Sequence, residues 1–202
     1  MKFLFKNDTP TRGYGLLEKF LAKKRAEKAN SLISENLRKG RILDIGCGTT
    51  PYFLMSTDFN KKHGVDLSVN LSNLKNDSLK LLKIDVTKQK LPYNNNYFNA
   101  VIMLAVFEHI SREDLEFVLK EISRVLKKDG VFILTTPSPW SDRILHFMAK
   151  MGLISREEMK EHKHHYNKKA IKAIIVTRYF KEKNLTSGFF EAYLNMWFKV
   201  KK

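Results

Sequence analysis

The 202-residue chain has one cysteine, so an internal disulfide is excluded and the composition suits a reducing compartment. It also lacks a long apolar run. The longest uncharged apolar run, Ala100 to Phe107, is eight residues and far below a membrane span. Met1 to Phe5 is too short for the core of a signal peptide, so the expectation is a soluble, cytoplasmic protein with no membrane span. Acids are scarce against bases, with Asp and Glu totalling 21, Lys and Arg 37, and a net charge of +16. Arginine is scarce too, at nine residues against 28 lysines. Groove and base readers depend on arginine's bidentate fork, so the charge implies attraction to an anionic partner and at most weak, non-specific attraction to nucleic acid. A hydrophobic share of 43% with 11% aromatics excludes a disordered chain and fits one folded domain.

What the chain does have is the run Arg41-Ile-Leu-Asp-Ile-Gly-Cys-Gly48. Ile42, Leu43 and Ile45 suit a parallel strand buried on both faces. Gly46 and Gly48 then allow a tight turn at its carboxyl end, where the missing Cβ lets backbone approach a ligand. Asp44 is costly to bury without partners, so it is expected to face a cleft. Two further acids end apolar runs: Asp66 lies 22 residues after Asp44, and Asp85 another 19 residues on. An acid at the second strand's end, about 20 residues past a glycine turn, is where nucleotide-binding α/β folds hold ribose hydroxyls. A carboxylate suits this because it only accepts hydrogen bonds. Cys47, inside the turn, reads as a small residue beneath a ligand, since nothing near it in sequence would activate a thiolate.

The ordered acids, with Phe107-Glu-His-Ile110 and Leu126-Lys-Lys-Asp-Gly-Val131, resemble the small-molecule group of class I S-adenosylmethionine-dependent methyltransferases over roughly residues 35 to 136. The resemblance implies a Rossmann-like, doubly wound α/β fold. Its mostly parallel seven-stranded sheet would be flanked by helices and closed by an antiparallel C-terminal hairpin. It implies S-adenosylmethionine as cofactor, with Gly46, Cys47 and Gly48 against its amino-acid and ribose portions and Asp44 at the methionine end. Asp66 and Leu67 would lie at the ribose, Asp85 and Val86 at the adenine, and Leu104 and Ala105 beside the methionine. Two positions depart from the pattern: Thr50 replaces a third glycine, and Asn99 replaces an acid before the fourth strand. The missing glycine counts against a dinucleotide oxidoreductase more than against the methyl donor.

On the acceptor side, His109 could take a proton from a hydroxyl, or could pack under the donor or cap the next helix. His162-Lys-His-His-Tyr166 does not match zinc-ligand spacing, so no metal is expected, and a solvated loop is the plain reading. By resemblance, His165 and Tyr166 are acceptor-pocket candidates. Trp140 is another, with core packing as its alternative.

The expected organisation is a single domain, 1–202. Residues 1–39 form an N-terminal helical segment, 40–136 the donor-binding core, and 137–202 the acceptor-side helices and closing strands. Residues 14 to 38 read as one amphipathic helix with Leu17, Phe20, Leu21, Leu32, Ile33 and Leu37 inward, packed on the sheet or closing over the donor site. Ser111 to Lys127 reads as a helix capped by Ser111 and Asp114 and stopped by Gly130. Trp140 to Gly152, Ser155 to His162 and Asn167 to Lys181 read as further helices. Ser187 to Leu194 and Asn195 to Lys201 read as the closing strands. The functional expectation is methyl transfer to a small-molecule or lipid-linked, anionic acceptor. The alternatives are an RNA methyltransferase and a non-catalytic binding protein of the same fold.

Overall fold

The computed structural model describes residues 16–69, 78–141, 166–176 and 179–202. Seven strands form one sheet: β1 (Arg41–Ile45), β2 (Lys61–Asp66), β3 (Leu79–Lys83), β4 (Phe98–Leu104), β5 (Leu126–Pro137), β6 (Leu185–Phe190) and β7 (Asn195–Lys201). Their spatial order is β3-β2-β1-β4-β5-β7-β6. The first five run parallel, and β7 runs antiparallel between β5 and β6. This is the Rossmann-like architecture that the sequence implies.

Strand periodicity divides the core into two layers. Ile42, Ala100, Ile102, Val131 and Ile133 turn to one face, while Leu43, Ile45, Val101, Met103, Phe132 and Leu134 turn to the other. All eleven are buried, which explains why these strands read as continuous apolar runs. From β1 the chain adds β2 and β3 on one side and then crosses back to place β4 on the other, opening a crevice at the carboxyl ends of β1 and β4.

The first layer is covered by α1 (Leu16–Leu32), α2 (Glu35–Arg38) and the short α3 (Tyr52–Ser56). The single helix expected over 14–38 is thus broken at Ile33 and Ser34, where the Arg38 guanidinium donates to Asn30 O (2.8 Å) and Ile33 O (3.4 Å). Its inward face differs in part from the expected one. Ile33 is buried and Leu32 and Leu37 pack inward as expected, but Ala26 and Ala29 are buried too, whereas Phe20 is 51% exposed. Alanine lets the helix backbone lie close to the sheet, a contact that a larger side chain would prevent.

The second layer is covered by α4 (Arg112–Val125) and α5 (Lys168–Ile175). Ser111 caps α4 by accepting from Asp114 N (3.2 Å), and its hydroxyl donates to the Asp114 carboxylate (2.8 Å). Contrary to expectation, α4 ends at Val125, and Leu126 already pairs with Phe98 on β4. Asp129, at φ 65°, carries the left-handed bend there, so Gly130 lies inside β5 and is no helix stop. α5 likewise ends well short of Lys181. Beyond Trp140 and Ser141, the helix expected over Trp140–Gly152 lies outside the described residues, as does the whole of the one expected over Ser155–His162. Among the described residues no helix is long and apolar enough to cross a membrane.

Glu121 and Arg124 anchor the loop between β3 and β4. Glu121 Oε2 accepts from Leu91 N (3.0 Å) and from Arg124 (2.7 Å), and the same guanidinium donates to Leu91 O (2.8 Å) and Tyr93 O (2.7 Å). Arg124→Lys keeps the charge but loses the fork, and urea unfolding should register a loss of about 1–2 kcal/mol. The Arg124 hydrogen bonds hold the Glu121 carboxyl below its ordinary range. The stabilisation is therefore present above the unfolded carboxyl's pKa and is lost as pH falls through the lower folded value. The lysine variant should show a weaker fall in stability over that acid window.

Candidate functional site

The site begins where β1 stops. Gly46 (φ 75°) and Gly48 (φ 72°) both occupy the left-handed region, which a side chain would strain. A Cβ on Gly46 would also stand 2.2 Å from Val106 Cγ2, so the loop after β4 presses directly on this turn. The Gly46 N–H donates to Val65 O (2.8 Å), and the Gly48 N–H donates to Asp66 Oδ2 (2.9 Å). Asp66 Oδ1 accepts from Ser68 N (2.7 Å). One carboxylate therefore clamps the loops after β1 and β2, and each oxygen keeps a lone pair for a further donor. Leu67, beside it, is 53% exposed.

Asp44 is only 4% exposed. Burial, and next the charge of Asp66, push its carboxyl well above the ordinary range. Burial likewise pushes the Cys47 thiol up, followed by Asp44 and Asp66, so Cys47 is a packed side chain and no nucleophile. Its space depends on Gly64, where a Cβ would lie 2.8 Å from Cys47 Sγ and 2.7 Å from Leu81 Cδ2.

Asp85 follows β3 and closes on itself. Its Oδ1 accepts from Thr87 N (3.0 Å) and Thr87 Oγ1 (2.6 Å), and Lys88 Nζ lies 3.5 Å from Oδ2. The Thr87 hydroxyl chiefly holds this carboxyl below its usual range. Val86 packs partly buried against the α4 side of the core, and Leu104 against the α1 side. Ala105 takes φ 54° while its N–H donates to Thr135 O (2.9 Å), placing local strain at the end of β4. Asn99 is remote from this edge. Its Oδ1 accepts from Arg41 N (3.1 Å) and ties β4 to the start of β1.

After Val106 comes a 3-10 turn, Phe107–His109. His109 is partly buried and its N–H donates to Val106 O (3.0 Å). Sequence reasoning gave no role to Glu108, which is 3% exposed, accepts from Thr136 Oγ1 (3.0 Å) and, among the described residues, leaves Oε1 without a hydrogen-bond partner. Val106 and Gly64 had no local signal to mark them, because their significance lies in distant neighbours, and Glu108 stood in a quoted segment without its partner Thr136 being readable there.

The three acceptor-pocket candidates separate. Trp140 is 66% exposed and lines a cavity of about 680 Å³. Tyr166 packs edge-on against Phe107, with ring centroids 5.6 Å apart, and is not among the lining residues of that cavity. His165 lies outside the described residues.

Residues 43–134 match the family described as "Methyltransferase domain". A protein of Methanocaldococcus jannaschii, named only as uncharacterised, is 36% identical over 100 residues, covering 50% of this chain and 42% of that one. A sterol 4-C-methyltransferase of Caenorhabditis elegans is 33% identical over 112 residues, covering 50% of this chain and 31% of that one. The chain thus spans less than half the length of these relatives. The crystal structure of a SAM-dependent methyltransferase from Archaeoglobus fulgidus superposes with a TM-score of 0.66 at 16% identity, over 92% of this chain and 94% of that one. At that identity the likeness is one of fold.

Proposed function

We propose that this chain, whose residues 43–134 match the methyltransferase-domain family, transfers a methyl group from S-adenosylmethionine to a small-molecule or lipid-linked acceptor. The observation that carries the reading is the Asp66 carboxylate, held by Gly48 N–H and Ser68 N–H at the crevice beside β1.

The residues fit the donor's chemistry. Asp66 has acceptor capacity left for two ribose hydroxyls, and the left-handed glycines leave their backbone open to close approach. Asp44 is a carboxyl whose charged form burial and Asp66 disfavour. A cationic ammonium or sulfonium beside it would favour that form and draw the proton off. Asp85 and Val86 are assigned to the adenine end, Leu67 to the ribose, and Leu104 and Ala105 to the methionine. When bound, S-adenosylmethionine supplies a methyl on sulfonium sulfur, already activated toward in-line displacement. The chain's part is to position the partners, exclude water and accept a proton where the acceptor carries one. His109, beyond β4, is the residue assigned to that proton. Residues 1–39, 40–136 and 137–202 are read as the N-terminal helical, donor-binding and acceptor-side portions of one unit. The sterol methyltransferase among the relatives supports an apolar acceptor.

Calorimetry should detect binding of S-adenosylmethionine or its demethylated product to the purified chain. Absence of both, alongside binding of NAD, would reject the donor assignment. RNA, to which the net charge of +16 gives weak, non-specific attraction, is the second acceptor class. Donor-dependent methylation of one particular RNA, in a complex that tolerates salt, would replace the small-molecule reading.

A further inference from the structure

The cavity beside Trp140 lies between the loop after β5, the β6–β7 hairpin and the amino end of α5. Because β7 runs antiparallel and Pro137 pairs with Asn195, this is the same edge of the sheet that carries the glycine turn. Its walls include Trp140, Phe189, Tyr193 and Met196, joined by Lys168 and Lys169. Trp140 and Tyr193 are each 66% exposed and Phe189 39%. Three large rings left in water around one hollow are the mark of a surface that takes an apolar ligand.

The hairpin holds this arrangement under strain. Glu191 (φ 52°), Ala192 (φ 51°) and Tyr193 (φ 68°) are consecutive non-glycine residues in the left-handed region. The Ser138 hydroxyl donates to Tyr193 O, and Ser138 N–H donates to Leu194 O (2.9 Å), pinning the turn to the loop after β5. Such strain persists where the surroundings impose it, and it concentrates at ligand clamps.

Charge supplies the second requirement. Lys168 Nζ sits 5.0 Å from the Phe189 ring centroid and 3.4 Å from Ser187 O, so a cation borders the aromatic rim. Lys169 is exposed beside it. Glu191, the acid of the same turn, does not line the cavity, and its carboxylate accepts from the Asn195 side-chain amide. The rings do not form a platform for nucleic-acid bases, since Phe189 and Tyr193 meet at 49°.

We propose that this cavity takes an anionic amphiphile, with its apolar chain among the aromatic residues and its head group at Lys168 and Lys169. That names the acceptor class for the methyl transfer proposed above and rests on that reading for the reaction, though not for the binding.

The test is calorimetry with lysophosphatidic acid below its micellar concentration, alongside monoacylglycerol of the same chain and inorganic phosphate. The donor is titrated into each preparation as well. Lysophosphatidic acid should bind at least about tenfold more tightly than the neutral lipid, and Lys168→Glu with Lys169→Glu should remove that advantage. Tryptophan fluorescence should shift to the blue on binding, and Trp140→Phe should abolish the shift. A second arm uses phosphatidylcholine vesicles containing phosphatidic acid. Charge-sensitive binding of the monomer points to a free metabolite as the source, and binding of the vesicles alone points to a bilayer. Either outcome upholds the proposal.

Equal affinity for the charged and neutral lipids overturns it, as does displacement of the amphiphile by a single-stranded oligonucleotide at high salt. Donor binding without amphiphile binding in either arm also overturns it, while leaving the methyltransferase reading intact. Amphiphile binding without donor binding does the reverse.

Discussion

Gly46→Ala is expected to abolish measurable donor binding and to lower unfolding free energy by about 3 kcal/mol or more, through left-handed strain and overpacking combined. The added methyl group would stand 2.2 Å from Val106 Cγ2, where no ordinary contact is allowed. The backbone at φ 75° adds a penalty that space alone cannot relieve. These two costs are separable. Val106→Ala in the Gly46→Ala background removes the clash but leaves the dihedral, so urea unfolding should recover only part of the lost stability. Full recovery would mean that the turn accepts a side chain at Gly46. An unchanged donor affinity in the single variant would show that the backbone there approaches no ligand.

Asp66→Ala should weaken donor binding by about ten- to a hundred-fold, the equivalent of about 1.5–3 kcal/mol in charged hydrogen bonds. Two effects act together. The acceptors for the ribose are lost, and the clamp between Gly48 N and Ser68 N opens. Asp58→Ala, at an exposed acid before β2, serves as the control and should leave affinity unchanged. Asp66→Asn separates the contributions, because one amide oxygen can keep a backbone bond while the charge is gone. Calorimetry that finds equal affinities for the parent protein and Asp66→Ala would remove Asp66 from the donor site.

The strands were legible in the sequence because a strand buried on both faces is written as an unbroken apolar run, and the glycines and acids punctuate its carboxyl end. β1 and β4 come close to this form, whereas β2 buries only His63 to Val65 and is marked mainly by the acid at its end. β7 lies where it was expected, but the strand expected over Ser187–Leu194 is Leu185–Phe190, and 191–194 form the turn instead. α1 was misread because its buried face is built on Ala26 and Ala29, whose small side chains give a weak periodic signal beside Phe20 and Leu21. The end of α4 was misplaced because Leu126 satisfies a helix face and a strand equally well, and the left-handed bend falls on Asp129 instead of the expected glycine. At the site, the acids could be listed but their surroundings could not. Asp66 is held by two backbone amides, which leave no mark in side-chain identity. The cavity was illegible for a related reason, since Ser138 and Tyr193, which meet there, are 55 residues apart.

The position of β7 has a consequence for how the chain acquires its structure during synthesis. β7 follows β6 in sequence yet lies inside it in space, so β5 gains its outer neighbour only once β7 has been synthesised. Until then β5 presents an open edge along Val131-Phe-Ile-Leu-Thr-Thr136, an uncharged, β-prone segment able to pair with another copy of itself. The interval is lengthened by the sequence separation of the partners, because distant pairings form slowly. Damage to β7 therefore uncovers the most aggregation-prone edge of the sheet, and its outcome is self-association of nascent chains in place of a simple loss of stability.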